Sequence, residues 1–162
     1  MPKLSRVELH KSAEIPASAD EVWKVVSDWA GMLRWWLTCE QGGLFGPALV
    51  KCDLIGEDDA VSRTRRMTLE NCAVIDELLF YQNDETRRIY YIRSEPTGSE
   101  VTGYVATTYV DVNDGDDCTL HVSSRFDVGP GADLPAVIAR FEAIYEAIFS
   151  GYKKYFSSAV AG

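Results

Sequence analysis

Short runs in which apolar and polar residues alternate fill most of the sequence, and they predict strands with one buried face. Residues 7–15 form the first run, which ends at Pro16. Six more runs, separated by turn sequences such as GEDD, NDET and NDGDD, predict strands near 48–55, 61–69, 72–82, 88–95, 101–113 and 118–127. The last run is the clearest, and one of its faces holds Leu120, Val122, Ser124 and Phe126.

Helical spacing appears in two places, after the first strand and at the end of the chain. Ser18 and Glu21 form a capping box, and the apolar residues that follow it predict a short helix reaching Trp29. After Gly31, the sequence MLRWWL at 32–37 predicts a second short helix, in which Trp35 and Trp36 cannot both face inward. From Leu134 to about residue 159, bulky apolar residues repeat at helical spacing and predict one long helix.

The order of these elements predicts an α+β fold. A curved antiparallel sheet of seven strands can wrap around the long C-terminal helix and bury its apolar stripe, with the two short helices after the first strand. A second stripe of small residues, Ala139, Ala143, Ala147 and Gly151, runs beside the bulky one, and the sequence leaves open which stripe faces an interior cavity. The length of 162 residues suits a single domain spanning residues 1–162.

Composition and charge exclude several classes of function. The 16 basic and 25 acidic residues give a net charge of -9, which disfavours binding to nucleic acid or to anionic lipid surfaces. We expect no integral membrane association, because no apolar stretch reaches the length of a membrane span. The four cysteines are far apart and favour reduced thiols in a cytoplasmic protein.

The sequence also lacks the patterns of common cofactor and metal sites. No G-x-G-x-x-G, P-loop or G-x-S-x-G motif occurs, so we expect no nucleotide cofactor and no common hydrolase mechanism. His10 and His121 fall on the polar faces of their strands, where we expect them to be exposed. We therefore predict no metal site.

Two charged residues fall on apolar strand faces. Arg65 shares a strand face with the apolar residues Met67 and Leu69. Glu77 shares a strand face with Ile75, Leu79 and Tyr81. A buried charge needs a partner, so Arg65 and Glu77 should form an ion pair if their strands are neighbours in register. Such a pair either orients a ligand in an apolar cavity or fixes strand register. Tyr104 leaves a similar choice between a cavity hydroxyl and an ordinary core aromatic.

Several segments together resemble a known family. They are ELHKSAEIPASADEVWKVVSDWAGMLRWW, VSRTRRMTLENCAVIDELLFYQNDETRRIYYI, YVATTYVDV, CTLHVSSRFDV and YEAIFSGYKKYF. They are similar to the START-related (SRPBCC) superfamily with its helix-grip fold, and within it to the bacterial polyketide cyclase/dehydrase-like branch. The resemblance covers about residues 5–157 and implies an apolar cavity, between the sheet and the last helix, that binds lipids, hormones or polyketide-type molecules.

The family pattern falls on particular positions of this sequence. The strand arginine of the family corresponds to Arg65, although Ser62 stands where the family has glycine. The glutamate of the next family strand corresponds to Glu77, and the hairpin tyrosine corresponds to Tyr104. In the relatives that sense abscisic acid, the glutamate and tyrosine positions contact the ligand. The lysine that anchors that hormone has no clear counterpart, Lys51 being a loose match, which argues against a receptor of that kind.

Three functions follow as hypotheses. The first is binding of a hydrophobic or amphipathic small molecule, lipid- or polyketide-like, by Trp36, Arg65, Met67, Glu77, Leu79, Tyr81, Tyr104, Ala106, Thr108, Ser124, Phe126, Phe141 and Tyr145. The second is a polyketide cyclase or dehydratase, in which Arg65 or Tyr104 polarises a carbonyl and Glu77 moves a proton. The third is a co-chaperone-like interaction module, which requires a filled core and an exposed apolar patch near Trp35. The sequence leaves open whether the chain forms a homodimer.

Overall fold

The computed structural model describes residues 2–36, 49–56, 63–94 and 99–161. Within these ranges one antiparallel sheet has the strand order β1-β7-β6-β5-β4-β3-β2. The elements are β1 Ser5–Ile15, α1 Ala19–Ser27, α2 Met32–Trp36, β2 Leu49–Ile55, β3 Arg63–Leu69, β4 Val74–Asn83, β5 Arg88–Arg93, β6 Val101–Val112, β7 Cys118–Val128 and α3 Leu134–Ala161. The predicted α+β helix-grip architecture is confirmed. Predicted positions 37, 48, 61, 62 and 95 lie outside the described residues.

The two short helices follow the local signals in the sequence. The Ser18 hydroxyl accepts a hydrogen bond from the Glu21 amide, and Glu21 accepts one from the Ser18 amide, so the capping box is formed. In α2, Trp35 is 5% exposed while Trp36 is half-buried, as their adjacent positions require. Trp35 stacks on Tyr152 of α3 at 4.6 Å between ring centroids. Trp35 itself therefore belongs to the core, while residues 37–48, which follow α2, lie outside the described structure.

The long helix α3 packs against the sheet with its bulky stripe turned inward. Phe141, Tyr145 and Tyr152 on this stripe are almost fully buried, whereas Ala139 of the small stripe is exposed. The buried strand positions are those predicted by alternation, and in β7 they are Cys118, Leu120, Val122, Ser124, Phe126 and Val128. The bulky stripe therefore lines the cavity, whereas the small stripe does not, although its members Ala147 and Gly151 are also buried. In the described part of the chain, no helix combines the length and the apolar character needed to cross a bilayer.

Strand β4 departs from simple alternation at a point that affects the site. The register between β4 and β5 shifts between Leu79 and Tyr81, so β4 contains an extra residue at this point. Leu79 is 1% exposed, but Tyr81 turns to the outer face, where it is 37% exposed and stacks on Tyr90 at 4.8 Å. The prediction that Tyr81 lines an interior site is wrong, because the bulge reverses the side on which residues after Leu79 lie.

The outer face of the sheet carries a histidine cluster that the sequence placed in solvent. His10 Nε2 and His121 Nδ1 lie 2.9 Å apart, and His121 Nε2 lies 3.1 Å from Asp111 Oδ2. Tyr109 stacks on His121 at 4.3 Å. His10 is exposed as predicted, but the side chain of His121 is only 15% exposed, so the predicted exposure of His121 is wrong. The neighbouring strands bring His10 and Tyr109 over its ring.

This cluster predicts a pH dependence of stability. Burial lowers the pKa of His121 below its ordinary value of about 6.5, and the charge of His10 adds to this effect, while Asp111 opposes it. The unfolded chain therefore binds more protons below pH ~6.5, and the stabilisation by neutral His121 is lost as pH falls through the folded-state pKa. We expect urea unfolding at pH 7.5 and 5.5 to show a larger loss for wild type than for His121→Gln. Equal losses would contradict the assignment.

Candidate functional site

The ion pair between Arg65 and Glu77 is the charged centre of the inner face. The two residues are direct cross-strand partners on β3 and β4, and they are 9% and 7% exposed. Arg65 donates to Glu77 Oε1 from Nε at 2.9 Å and from Nη2 at 2.6 Å. Both hydrogen bonds end on one oxygen, and no other described residue donates to Oε2. The predicted pairing is confirmed, and one carboxylate oxygen remains open to a further donor.

Two aromatic residues complete the surroundings of this pair. The Arg65 guanidinium carbon lies 3.7 Å from the centroid of the Trp29 ring and 5.7 Å from that of Tyr91. Arg65 Nη1 also donates to the Trp29 carbonyl oxygen at 3.4 Å. Burial by itself lowers the pKa of Arg65, but the charges of Glu77 and Tyr91 outweigh it, and the net shift is upward. Arg65 is thus a permanent cation with both hydrogen-bond and ring partners.

A chain of hydroxyl groups lies farther along the same interior. The hydroxyls of Tyr104 and Tyr145 are 2.9 Å apart, and Tyr145 donates to the Ser124 hydroxyl. The Tyr104 ring stacks on Phe126 and Phe141. Burial raises the pKa values of Tyr104 and Tyr145, so both stay protonated at neutral pH. Each phenol has one hydroxyl proton, so Tyr104 donates to Tyr145 and Tyr145 to Ser124, and both groups are poor bases.

These groups border a central cavity of about 90 Å³ between the sheet and α3. Its walls come from α1, α2, the inner faces of β2 to β7, and the inward stripe of α3. The residues that line it include Trp29, Trp35, Trp36, Arg65, Met67, Glu77, Tyr91, Arg93, Tyr104, Thr108, Phe141, Ile144, Tyr145, Ile148 and Tyr152. Most of this wall is aromatic or aliphatic, and a few polar groups converge on it, as in small-molecule sites generally.

The structure brings most of the predicted site residues to this cavity. Those that line it are Trp36, Arg65, Met67, Glu77, Tyr104, Thr108, Phe141 and Tyr145. Leu79, Ala106 and Phe126 are buried but lie behind the wall, and Ser124 takes part through the Tyr145 hydroxyl. Tyr81 lies on the opposite face of the sheet, where the β4 bulge places it.

The cavity wall also contains residues that the sequence analysis did not assign to the site, among them Trp29, Tyr91, Arg93 and Tyr152. Trp29 and Tyr152 were read as parts of apolar helix stripes, and the pattern did not separate core positions from cavity positions. Ile89, Tyr91 and Arg93 occupy every second position of β5, and this spacing was the available signal that they share a face. Burial and the Glu77 charge raise the pKa of Tyr91, against opposing effects of Arg65 and a hydrogen bond with Thr108.

The site offers no arrangement typical of a metal centre. Within the described ranges, no group of three or more His, Cys, Asp or Glu side chains is close enough together to hold a metal ion. The charged residues on the cavity wall are instead Arg65, Glu77, Arg93 and Asp28, the last of which pairs with Arg34. The chemistry available is hydrogen bonding and charge pairing to an organic ligand.

Comparison with known proteins agrees with this architecture. The family model described as "Polyketide cyclase / dehydrase and lipid transport" matches residues 6–157. No curated protein is significantly similar in sequence.

Solved structures with the same fold come from proteins of different kinds. Truncated norcoclaurine synthase from Thalictrum flavum superposes with a TM-score of 0.67 at 23% identity, over 93% of this chain and 93% of that chain. The protein XoxI from Bacillus cereus gives 0.70 at 19% identity, over 93% and 95%. The di-domain ARO/CYC BexL from the BE-7585A biosynthetic pathway gives 0.69 at 17% identity, over 93% of this chain and 46% of that chain. At these identities the likeness concerns the fold.

Proposed function

Because this chain belongs to the polyketide cyclase/dehydrase and lipid transport family, we propose that it binds a small amphipathic molecule in the central cavity. The observation behind this proposal is the composition of the cavity wall. Aromatic and aliphatic side chains form most of it, and the Arg65–Glu77 pair, Tyr104 and Tyr145 present polar atoms to the same space. Such a wall buries an apolar body and orients one polar end.

The cavity volume favours a compact ligand. A cavity needs roughly 10–15 Å³ to hold a single water molecule, and an engineered apolar cavity of about 150 Å³ accommodates benzene. At about 90 Å³, the present cavity is nearer to one ring than to a drug-sized molecule, for which sites measure about 300–1,000 Å³. A long lipid or an extended poly-β-ketone would require large wall movements. We therefore propose a ligand of one or two rings.

The same geometry weighs against proton transfer as the main role of the site. A proton taken up by Glu77, even on its open Oε2, would remove the counter-charge of buried Arg65, and a buried charge without a counter-charge costs several kcal/mol. Tyr104 and Tyr145 keep their protons at neutral pH because burial raises their pKa values. We therefore place second the cyclase alternative, in which Arg65 or Tyr104 polarises a substrate carbonyl.

Native mass spectrometry of the protein purified from its own source tests the proposal. We expect a bound molecule of low mass that is released on unfolding. The variant Ile148→Trp, which places a bulky ring in the cavity wall, should lose this molecule. The matched control is Ser150→Trp, which adds the same ring at an exposed position of the same helix and should retain it. An empty wild-type protein in repeated preparations would overturn the proposal.

We also propose a cytoplasmic location. Cys52, Cys72 and Cys118 are free thiols in the described structure, and Cys72 is exposed. Unpaired exposed thiols persist in reducing compartments and are rare in secreted proteins.

A further inference from the structure

Three charged residues lie in a row across neighbouring strands of the inner face. Arg65 on β3 is opposite Glu77 on β4, and Glu77 is opposite Arg93 on β5. Directly opposed residues of antiparallel strands lie on the same face, with their Cβ atoms about 4.5–5.5 Å apart. One carboxylate therefore lies between two guanidinium groups.

Glu77 forms hydrogen bonds with only one of its two arginine neighbours in this row. Both of the hydrogen bonds that it accepts come from Arg65. Among the described residues, no carboxylate lies within salt-bridge distance of Arg93. The Nε atom of Arg93 is buried and has no hydrogen-bond partner. A buried guanidinium N–H without an acceptor is costly, so an acceptor supplied by a ligand would be strongly favoured.

Arg93 is held toward the cavity by aromatic rings. Its guanidinium carbon lies 5.1 Å from the centroid of the Tyr104 ring and 5.6 Å from that of Phe141. These rings support the cation without neutralising it, and they leave the edge of the guanidinium to form hydrogen bonds. The nearby Tyr104 and Tyr145 hydroxyls already donate to Tyr145 and to Ser124, whereas the Nε–H of Arg93 has no acceptor among the described residues.

The charge balance of the wall identifies the sign and number of charges on the ligand. Arg65 and Glu77 neutralise each other, and Asp28 is paired with Arg34, so Arg93 leaves one positive charge. The whole protein carries a net charge of -9, which repels multiply charged anions. A single carboxylate fits the planar fork of an arginine and needs no second cation.

Aromatic side chains in the cavity wall indicate the body of the ligand. Trp29 and Tyr91 lie on one side with centroids 5.2 Å apart, and Trp35 and Tyr152 stack at 4.6 Å on another. Flat aromatic walls favour a flat aromatic ligand, because rings stack well beyond their simple area burial. We propose that Arg93 binds the carboxylate of a compact aromatic monocarboxylic acid in the central cavity, an inference that rests on the proposed binding function.

Isothermal titration with phenylacetate and with its neutral analogue phenylacetamide tests this inference. We expect wild type to bind phenylacetate about tenfold more tightly than phenylacetamide, as expected for a hydrogen-bonded charge pair. The variant Arg93→Gln should bind the two compounds equally, at the level of phenylacetamide. It should also keep the wild-type melting temperature within a few degrees, since Arg93 has no described ion pair to lose.

The matched control is Arg88→Gln on the same strand. Arg88 also lies over a tyrosine ring, at 4.1 Å from Tyr109, but on the outer face of the sheet. This variant should retain the tenfold preference.

Equal binding of both compounds by wild type, with both lost in Ile148→Trp, would overturn the role of Arg93 and leave the binding function intact. If wild type binds neither compound but retains another molecule in native mass spectrometry, the aromatic acid is wrong while the cavity still binds. If wild type binds neither and is empty, both proposals fail.

Discussion

Replacing Glu77 with leucine is expected to lower the free energy of unfolding by about 3–5 kcal/mol, the usual cost of removing one partner from a buried ion pair. The expected loss is large because Glu77 is the carboxylate between two inner-face guanidiniums, Arg65 and Arg93. Without it, Arg65 keeps the Trp29 ring and carbonyl as partners but has no counter-charge. Urea denaturation followed by circular dichroism measures the change.

Replacing the other member of the ion pair distinguishes the loss of a counter-charge from a general loss of packing. Arg65→Met should cost less than Glu77→Leu, because Glu77 can turn to its other cross-strand neighbour, Arg93. The double variant Arg65→Met, Glu77→Leu should recover part of the loss of Glu77→Leu alone. The control is Asp76→Asn, which breaks the Arg66–Asp76 pair of the same two strands on the exposed face and should cost much less. Equal losses for Asp76→Asn and Glu77→Leu would contradict a burial effect.

Replacing Trp29 with alanine is expected to lower the free energy of unfolding by a similar amount, about 3–5 kcal/mol. Trp29 is 2% exposed, and its ring covers the Arg65 guanidinium at 3.7 Å and contacts Tyr91. The variant loses this aromatic area and leaves a void beside a buried cation. The same urea titration, followed by circular dichroism because the tryptophan signal changes, gives the result.

A second substitution at this position tests which property of the ring matters. The indole Nε1 of Trp29 is buried without a hydrogen-bond partner, so Trp29→Phe removes an unsatisfied donor while keeping a ring over Arg65. We expect it to cost less than half as much as Trp29→Ala. Phe80→Ala, at a 41% exposed position on the outer face, should change stability little. A Phe variant as unstable as the Ala variant would argue against the ring contact as the cause.

Local chemistry explains which elements were predictable. The capping box fixed the start of α1, because its two hydrogen bonds involve residues three positions apart in sequence. Strand β4 begins at Val74 and not at 72, because Cys72 adopts a left-handed backbone conformation with φ 68° in the turn after β3. Alternation does not detect such a turn when the turn residue is itself apolar.

The site was partly predictable for a related reason. Arg65 and Glu77 were recognised because each is a charged residue on an otherwise apolar strand face, and antiparallel pairing then brought them together. Tyr81 was placed wrongly because Leu79, Phe80 and Tyr81 are all apolar, so the sequence does not reveal the bulge between them. Arg93 was not assigned to the site, because its lack of a carboxylate partner depends on Glu77 forming its hydrogen bonds with Arg65.

The sequence by itself determined the element order, the inward faces of most strands and the presence of a buried charge pair, because these follow from periodicity and the cost of burying charge. The tertiary structure decided the rest. It turned the bulky stripe of α3 inward, moved Tyr81 to the outer face, and set Trp29 and Tyr91 around Arg65. It also left Arg93 beside a cavity without a carboxylate of its own among the described residues. These outcomes depend on three-dimensional register and packing between segments far apart in the chain, which a local pattern does not encode.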